Sequence, residues 1–281
     1  MIHARNTWFA GTAEPLRLPH KDLLAVTVLT FALVAGSGSS AQSIIDATDP
    51  DVVLHLGFGA GFSPAFPGSD DLVFGPSGTI RVGFFRLPNG FTFSSLGSTA
   101  AREGFGLYGS ARYIGERDVS EYHEVSGLDD VPWTLEAGLG LGYEAASYRV
   151  FGDVRYGFNG HASFVGTLGA DLIARPSEQI VVRFGPRAEF GSDSYASTYF
   201  GVTPSEAAAG PLPSFNADGG LMGAGIELWA VYTLNNQWGI EGKAGWLRLL
   251  NDAADSPVTK TGSKDQFNVS LILTRNVRLD F

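Results

Sequence analysis

The last fifteen residues, 267–281, restrict what this chain can fold into more than any other stretch. Counting back in twos gives Phe281, Leu279, Val277, Arg275, Leu273, Leu271, Val269 and Phe267. The interleaved set is Asp280, Arg278, Asn276, Thr274, Ile272, Ser270, Asn268 and Gln266. One set is apolar and the other polar, with Arg275 and Ile272 as the exceptions. Successive side chains of a strand point to opposite faces, so this segment has one greasy side and one wet side along its whole length. A tilted strand crosses the hydrocarbon of a bilayer in about 9–11 residues. A dyad strand this long, ending on an aromatic, predicts the closing strand of an outer-membrane barrel. The alternative left open by this segment alone is a strand of a soluble β-sandwich.

The rest of the chain agrees with a single all-β unit. Its 281 residues include 37 Gly and 34 aromatics, a balance suited to many short strands joined by tight turns. There is no Cys, which removes disulfides, a lipid-anchoring cysteine and thiolate metal sites. Arg17, His20 and Lys21 precede the apolar run Leu23 to Val34, and small residues from Gly36 to Ala41 follow it. That order predicts a secretory signal at 1–41, cut after Ala41, with the barrel domain at 42–281. A buried core helix is the other reading of the run. Without residues 1–41 the chain has 16 basic and 27 acidic residues, a net of −11, which disfavours nucleic acid as a partner. Beyond residue 41 no apolar run approaches the 18 residues of a membrane helix.

Alternation recurs at 52–62, 79–87, 91–96, 105–113, 133–143, 148–158, 162–174, 179–191, 221–234, 237–249 and the terminal stretch. These are eleven candidates, whereas bacterial single-chain barrels have even strand numbers. The expectation is therefore an antiparallel transmembrane β-barrel of about twelve strands, with ten as the alternative. Residues 194–202 are a candidate for the missing strand. Pro88-Asn89-Gly90 is a hairpin signal. In the strand 133–143, Trp133 and Tyr143 end the apolar face, as expected at two water–lipid interfaces. Residues 115–131 and 250–264 read as polar loops, and 192–218 as the longest irregular stretch. Within the last, Thr203 and Glu206 have capping-box spacing for a short helix over 204–209.

The polar faces carry charges of both signs: Arg81, Arg112, Glu136, Glu144, Arg149, Asp153, Arg155, Asp171, Arg183, Arg187, Glu189, Glu227, Glu241 and Lys243. Facing lipid, a basic residue at the midplane costs about 2–4 kcal/mol and an acidic one somewhat less. These residues are therefore expected to line the lumen and to pair across it. A lumen filled by ion pairs and a selective small-solute channel both remain readings of that set.

No catalytic centre, cofactor or metal is expected. His161 and Ser163 share a strand face, which would suit a barrel lipase or acylase, but no local motif supplies an orienting group or oxyanion donors. A satisfied loop or rim histidine is the preferred reading. His123, between Glu121 and Glu124, lacks a second histidine at ligand spacing. Asp70-Asp71 and Asp129-Asp130 lack the spacing of an EF-hand.

Several motifs in series resemble the MipA/OmpV family of outer-membrane proteins. They are the glycine-rich first strand running into Gly68-Ser69-Asp70-Asp71, Gly127-Leu128-Asp129-Asp130 before Trp133, and Gly160-His161. Tyr199-Phe200-Gly201-Val202 and Asp255-Ser256-Pro257 complete the series, so the likeness spans residues 52 to 281. The resemblance implies a non-enzymatic Gram-negative outer-membrane barrel, embedded in outer-membrane lipids after insertion by the barrel-assembly machinery. It also implies a scaffold for periplasmic cell-wall enzymes: a lytic transglycosylase and a penicillin-binding protein, hydrolase and synthase of peptidoglycan. Other members of the family are described as antigens or adhesins, and the charged lumen keeps a small diffusion channel as an alternative.

Overall fold

The computed structural model describes residues 17–19, 52–86, 92–94 and 103–279. Its strands are β1 (Arg17–Pro19), β2 (Val52–Pro64), β3 (Asp71–Arg86), β4 (Thr92–Ser94), β5 (Gly104–Ile114) and β6 (Thr134–Glu144). Then come β7 (Tyr148–Asn159), β8 (Phe164–Ser177), β9 (Ile180–Gly191), β10 (Gly220–Thr233), β11 (Trp238–Leu249) and β12 (Asp265–Leu279). β1 and β4 have only three residues each, which leaves ten long strands. Every ladder is antiparallel, and the long strands follow the order β3-β2-β12-β11-β10-β9-β8-β7-β6-β5. The first long strand thus pairs with the last, from Val52 opposite Leu279 to Phe62 opposite Val269. The result is an all-β, antiparallel, ten-strand curled sheet whose ends are β3 and β5. Among the described residues no ladder joins those two ends.

The period of two seen in the sequence sets the two faces. Exposure alternates at every residue of β5. On β6, Leu135, Leu139 and Leu141 are exposed while Thr134 and Glu136 are fully buried. On β12, Val269, Leu271 and Leu273 point out, and Ile272 and Thr274 point in. The outer face is apolar from β2 to β12, including Phe58, Ile80, Phe105, Leu139, Leu172 and Leu271, each more than half exposed. A water-soluble monomer rarely leaves contiguous apolar surface of more than a few hundred Å². Curling also needs glycine at one close approach: a Cβ on Gly138 would lie 1.9 Å from the Val154 carbonyl oxygen.

The two rims of the sheet differ. Residues 145–147, 178–179 and 234–237 make short turns at one rim. At the other lie the β2–β3 turn, the turn 160–163 and three long loops, 115–133, 192–219 and 250–264. These loops are more ordered than their polarity suggests. The expected extra strand at 194–202 is instead the helix α1 (Asp193–Phe200), capped by Ser192. The spacing of its buried residues Tyr195, Ala196, Tyr199 and Phe200 is helical, and tertiary burial of that stripe overrides the β preference of the aromatics. α2 (Pro204–Ala209) has the expected reciprocal capping box between Thr203 and Glu206. Residues 250–264, read as a polar loop, hold α3 (Asn251–Asp255) and α4 (Pro257–Thr261), whose Ala253, Ala254, Pro257 and Val258 are buried.

β3 begins at Asp71, so the expected strand at 79–87 is only its second half. The hairpin Pro88-Asn89-Gly90 and the terminal Phe281 lie outside the described residues, as does the expected signal apart from β1. Arg17, Leu18 and Pro19 of β1 pair with Val73, Leu72 and Asp71, on the edge of β3 away from β2.

Candidate functional site

The long-loop rim is closed by a folded cap, and the recurrent turn motifs meet inside it. Gly68 adopts a positive φ of 95°, and its N–H donates to Gln266 Oε1 at 3.1 Å. Gln266 Nε2 donates in turn to the carbonyls of Ser69 (3.1 Å) and Ser263 (2.8 Å), tying the β2–β3 turn to the start of β12. Ser69 is buried, its hydroxyl accepting from the Asp71 N–H, whereas Asp70 is exposed. Ser256 caps α4 and donates to the Phe200 carbonyl at 2.6 Å. Its neighbours divide: Pro257 is buried, and Asp255 is exposed, 3.7 Å from Lys264. Gly201 ends α1 by donating to the Ser197 carbonyl, and Val202 pairs with Phe215.

Two apolar clusters fill the cap. Tyr195, Ala196, Tyr199 and Phe200 pack with Met222, Leu249, Ala253 and Ala254. Phe66, Tyr122, Val125, Leu128, Val202, Leu212 and Val258 form the second cluster, in which Phe66 meets Tyr122 edge to face. Arg117 lies within the loop 115–131, yet it is 2 % exposed. Its guanidinium donates to the Tyr199 and Asp129 carbonyls at 3.3 and 3.1 Å, and burial holds its pKa below that of a free arginine. The α2 residue Glu206 accepts from the Asp129 N–H at 2.8 Å. Partial burial opposes its ionisation, but the Asp129 and Thr203 N–H groups and the Thr203 hydroxyl hold its pKa below the usual glutamate range.

Below the cap, the inner face is crossed by ion pairs that engage all fourteen of the expected charges. One chain runs from Asp153 to Arg155, Glu136, Arg112 and Glu189. A second runs from Arg149 to Asp171, Arg187, Glu227 and Lys243. Glu144 pairs with Arg183 and with Arg175, and Arg81 pairs with Glu241. Most pairs join neighbouring strands; Arg112–Glu189, Arg81–Glu241 and both pairs of Glu144 reach further.

Sequence reasoning did not single out two aromatics on this face. Trp229 lies between the guanidinium groups of Arg183 (4.5 Å) and Arg81 (5.4 Å), and Phe151 between those of Arg149 (4.6 Å) and Arg187 (4.9 Å). Trp229 also packs with Ile173, Val181 and Val231. The phase of β10 contains the signal, because Trp229 is two residues from Glu227 and so shares its face.

His161, in the turn 160–163 at the long-loop rim, is the satisfied loop histidine expected, and it is 2 % exposed. Its Nδ1 lies 2.8 Å from Ser163 Oγ and its Nε2 lies 3.3 Å from Glu136 Oε1. The order Ser–His–carboxylate is that of acyl-transfer enzymes. Here Tyr195 and Tyr199 seal the ring edge-on at 5.1 and 5.9 Å, and Glu136 already serves Arg112 and Arg155. With Ser163 6 % exposed and the ring closed over, no substrate carbonyl reaches the hydroxyl. The group braces the turn 160–163 against β6, with Asn159 and Ala162 held at φ of 65° and 42°.

No curated protein matches this chain. Among solved structures, the translocator domain of the autotransporter NalP from Neisseria meningitidis is 11 % identical, with a TM-score of 0.38 over 83 % of this chain and 90 % of that one. The CymD monoaromatic hydrocarbon channel is 10 % identical, with a TM-score of 0.35 over 83 % of this chain and 89 % of that one. Pseudomonas putida OprB is 11 % identical, with a TM-score of 0.32 over 72 % and 59 %. At the level of family the match is direct: residues 56–276 fit the description "MltA-interacting protein MipA", and the chain belongs to that family.

Proposed function

We propose that this protein is a non-conducting, non-enzymatic outer-membrane barrel that works as an interaction protein of the cell envelope. The observation that carries the reading is the pairing of an apolar outer face on every long strand with an inner face on which all fourteen of the expected charges are neutralised. Trp133, just before β6, and Tyr143, ten residues on, lie roughly 33 Å apart along the strand direction. At the usual tilt of about 40° that separation matches an apolar band about 25 Å tall.

We read closure as β3 meeting β5, giving ten strands rather than twelve. β3 runs away from the cap and β5 toward it, so the two can pair antiparallel. β1 occupies part of that edge of β3, and cleavage of a signal at 1–41 would free it.

Such barrels keep short turns on the periplasmic side and long loops outside. The short rim here also holds the start of β2 and the end of β12. The cap therefore faces out of the cell, and any murein hydrolase or synthase would meet the short-turn rim. A channel is disfavoured because conduction needs a free path with exchangeable charge, and this interior is crossed by satisfied pairs. The test is twofold: co-purification of the folded protein with lytic transglycosylase and penicillin-binding protein, against an unrelated barrel, and planar-bilayer recording. Enrichment without conductance is expected. Steady ohmic conductance, or no enrichment, counts against the reading.

A further inference from the structure

Arg275 interrupts the outer face. On β12 it sits between Leu273 and Val277, points to their side and is exposed. An outward arginine costs about 2–4 kcal/mol at the bilayer midplane but little near the interface, so Arg275 marks headgroup depth. Its guanidinium lies 5.2 Å from the ring centroid of Trp238, its register partner on β11.

Just beyond, the Asn276 N–H donates to the Gln237 carbonyl at 2.7 Å, past the last residue that pairs β12 with β11. Strand alternation then aims the Arg278 N–H toward the same side. Between the β10–β11 turn and this strand end lies a cleft of about 390 Å³ lined by Asn236, Gln237, Arg275, Asn276, Val277 and Arg278. The lining residues are two arginines, a valine and three side-chain amides, with no carboxylate among the described residues; by strand phase Arg275 lies on the outer side of the strand end and Arg278 on the inner. A surplus of charge-assisted donors suits a phosphate oxygen. The apolar outer face continues directly from the cleft through Leu273, Leu271 and Leu56, which would accommodate acyl chains and gives free phosphate no advantage.

We infer that this cleft holds the phosphate of a phospholipid headgroup in the leaflet at the short-turn rim, an inference that rests on the outer-membrane barrel reading. Native mass spectrometry of the folded protein in detergent, titrated with phosphatidylglycerol, tests it. Wild type is expected to retain one lipid, R275Q/R278Q to bind it at least tenfold more weakly, and equimolar inorganic phosphate to leave it in place. If the double variant does not fold, R278Q alone, at an exposed strand end, is expected to lose affinity several-fold. Equal retention by wild type and variant, or displacement by inorganic phosphate, overturns the site. Loss of heat-modifiable gel migration in wild type would instead overturn the barrel itself.

Discussion

Arg112 on β5 donates to Glu189 on β9 at 2.8 Å, joining strands four places apart in the sheet. Only a sheet curled until its inner faces meet allows that bond. The same guanidinium also holds Glu136, which is fully buried and bonded to Arg155 and His161 as well. Glu136 is thus the hub on which β5, β6, β7 and the turn 160–163 converge. Removing one partner of a buried ion pair leaves uncompensated charge and costs about 3–5 kcal/mol. Glu136→Gln is expected to lower the temperature at which the folded gel band disappears, while Glu189→Gln, at a more open site, has a smaller effect. Equal behaviour of the two variants would remove Glu136 from this role.

Tyr199 Oη lies 3.1 Å from Thr134 Oγ1, and burial raises the pKa of both Tyr195 and Tyr199 above the usual value for tyrosine. A folded-state pKa raised above the unfolded value gives stability that is full below the unfolded pKa, about 10, and is lost as pH rises through the folded one. The cap should therefore loosen at alkaline pH, seen as cleavage of 192–219 by a protease active there, while the strands stay protected. Tyr199→Phe loses one hydrogen bond, about 0.5–1.5 kcal/mol, and should blunt the alkaline transition.

The acid side tests the other half of the cap. The Glu206 pKa is lowered, so its contribution is present above the unfolded value, about 4.3, and is lost as pH falls through the folded one. Hydrogen exchange at the Asp129 and Thr203 amides, which Glu206 accepts from, should accelerate below that range. In Glu206→Gln the acid-induced change should vanish. An unchanged profile in the variant would detach these amides from Glu206.

How much of this was legible in the sequence depends on the range of the forces involved. A strand's two faces are written locally, so the phases of β6, β7 and β12 and the inward charges could be read from alternation alone. The α2 cap could be read too, because Thr203 and Glu206 are three residues apart. Partners across the sheet could not. Nothing near Glu136 indicates Arg155 or His161, and nothing near Gln266 indicates Gly68, 198 residues away. The cap was read as polar loops for the same reason. Arg117 and Ser256 look solvent-exposed by residue type, and they are buried only because distant carbonyls satisfy them.

The placement of the cap outside the cell can be tested cleanly because the chain contains no cysteine. Asp129 and Ser205 are exposed on the cap, and Ser177 is exposed on the short-turn rim. Single substitutions Asp129→Cys and Ser205→Cys should react with a membrane-impermeant maleimide on intact cells, and Ser177→Cys only after the outer membrane is opened. Ser205 is the safer site, since its backbone lies in the first turn of α2 and its exposed side chain hydrogen-bonds to Thr203 Oγ1 at 3.0 Å. Labelling of Ser177→Cys on intact cells, with protection at the two cap positions, would invert the barrel. The clustered turn motifs would then face the periplasm, and the cap rather than the short turns would become the surface offered to cell-wall enzymes.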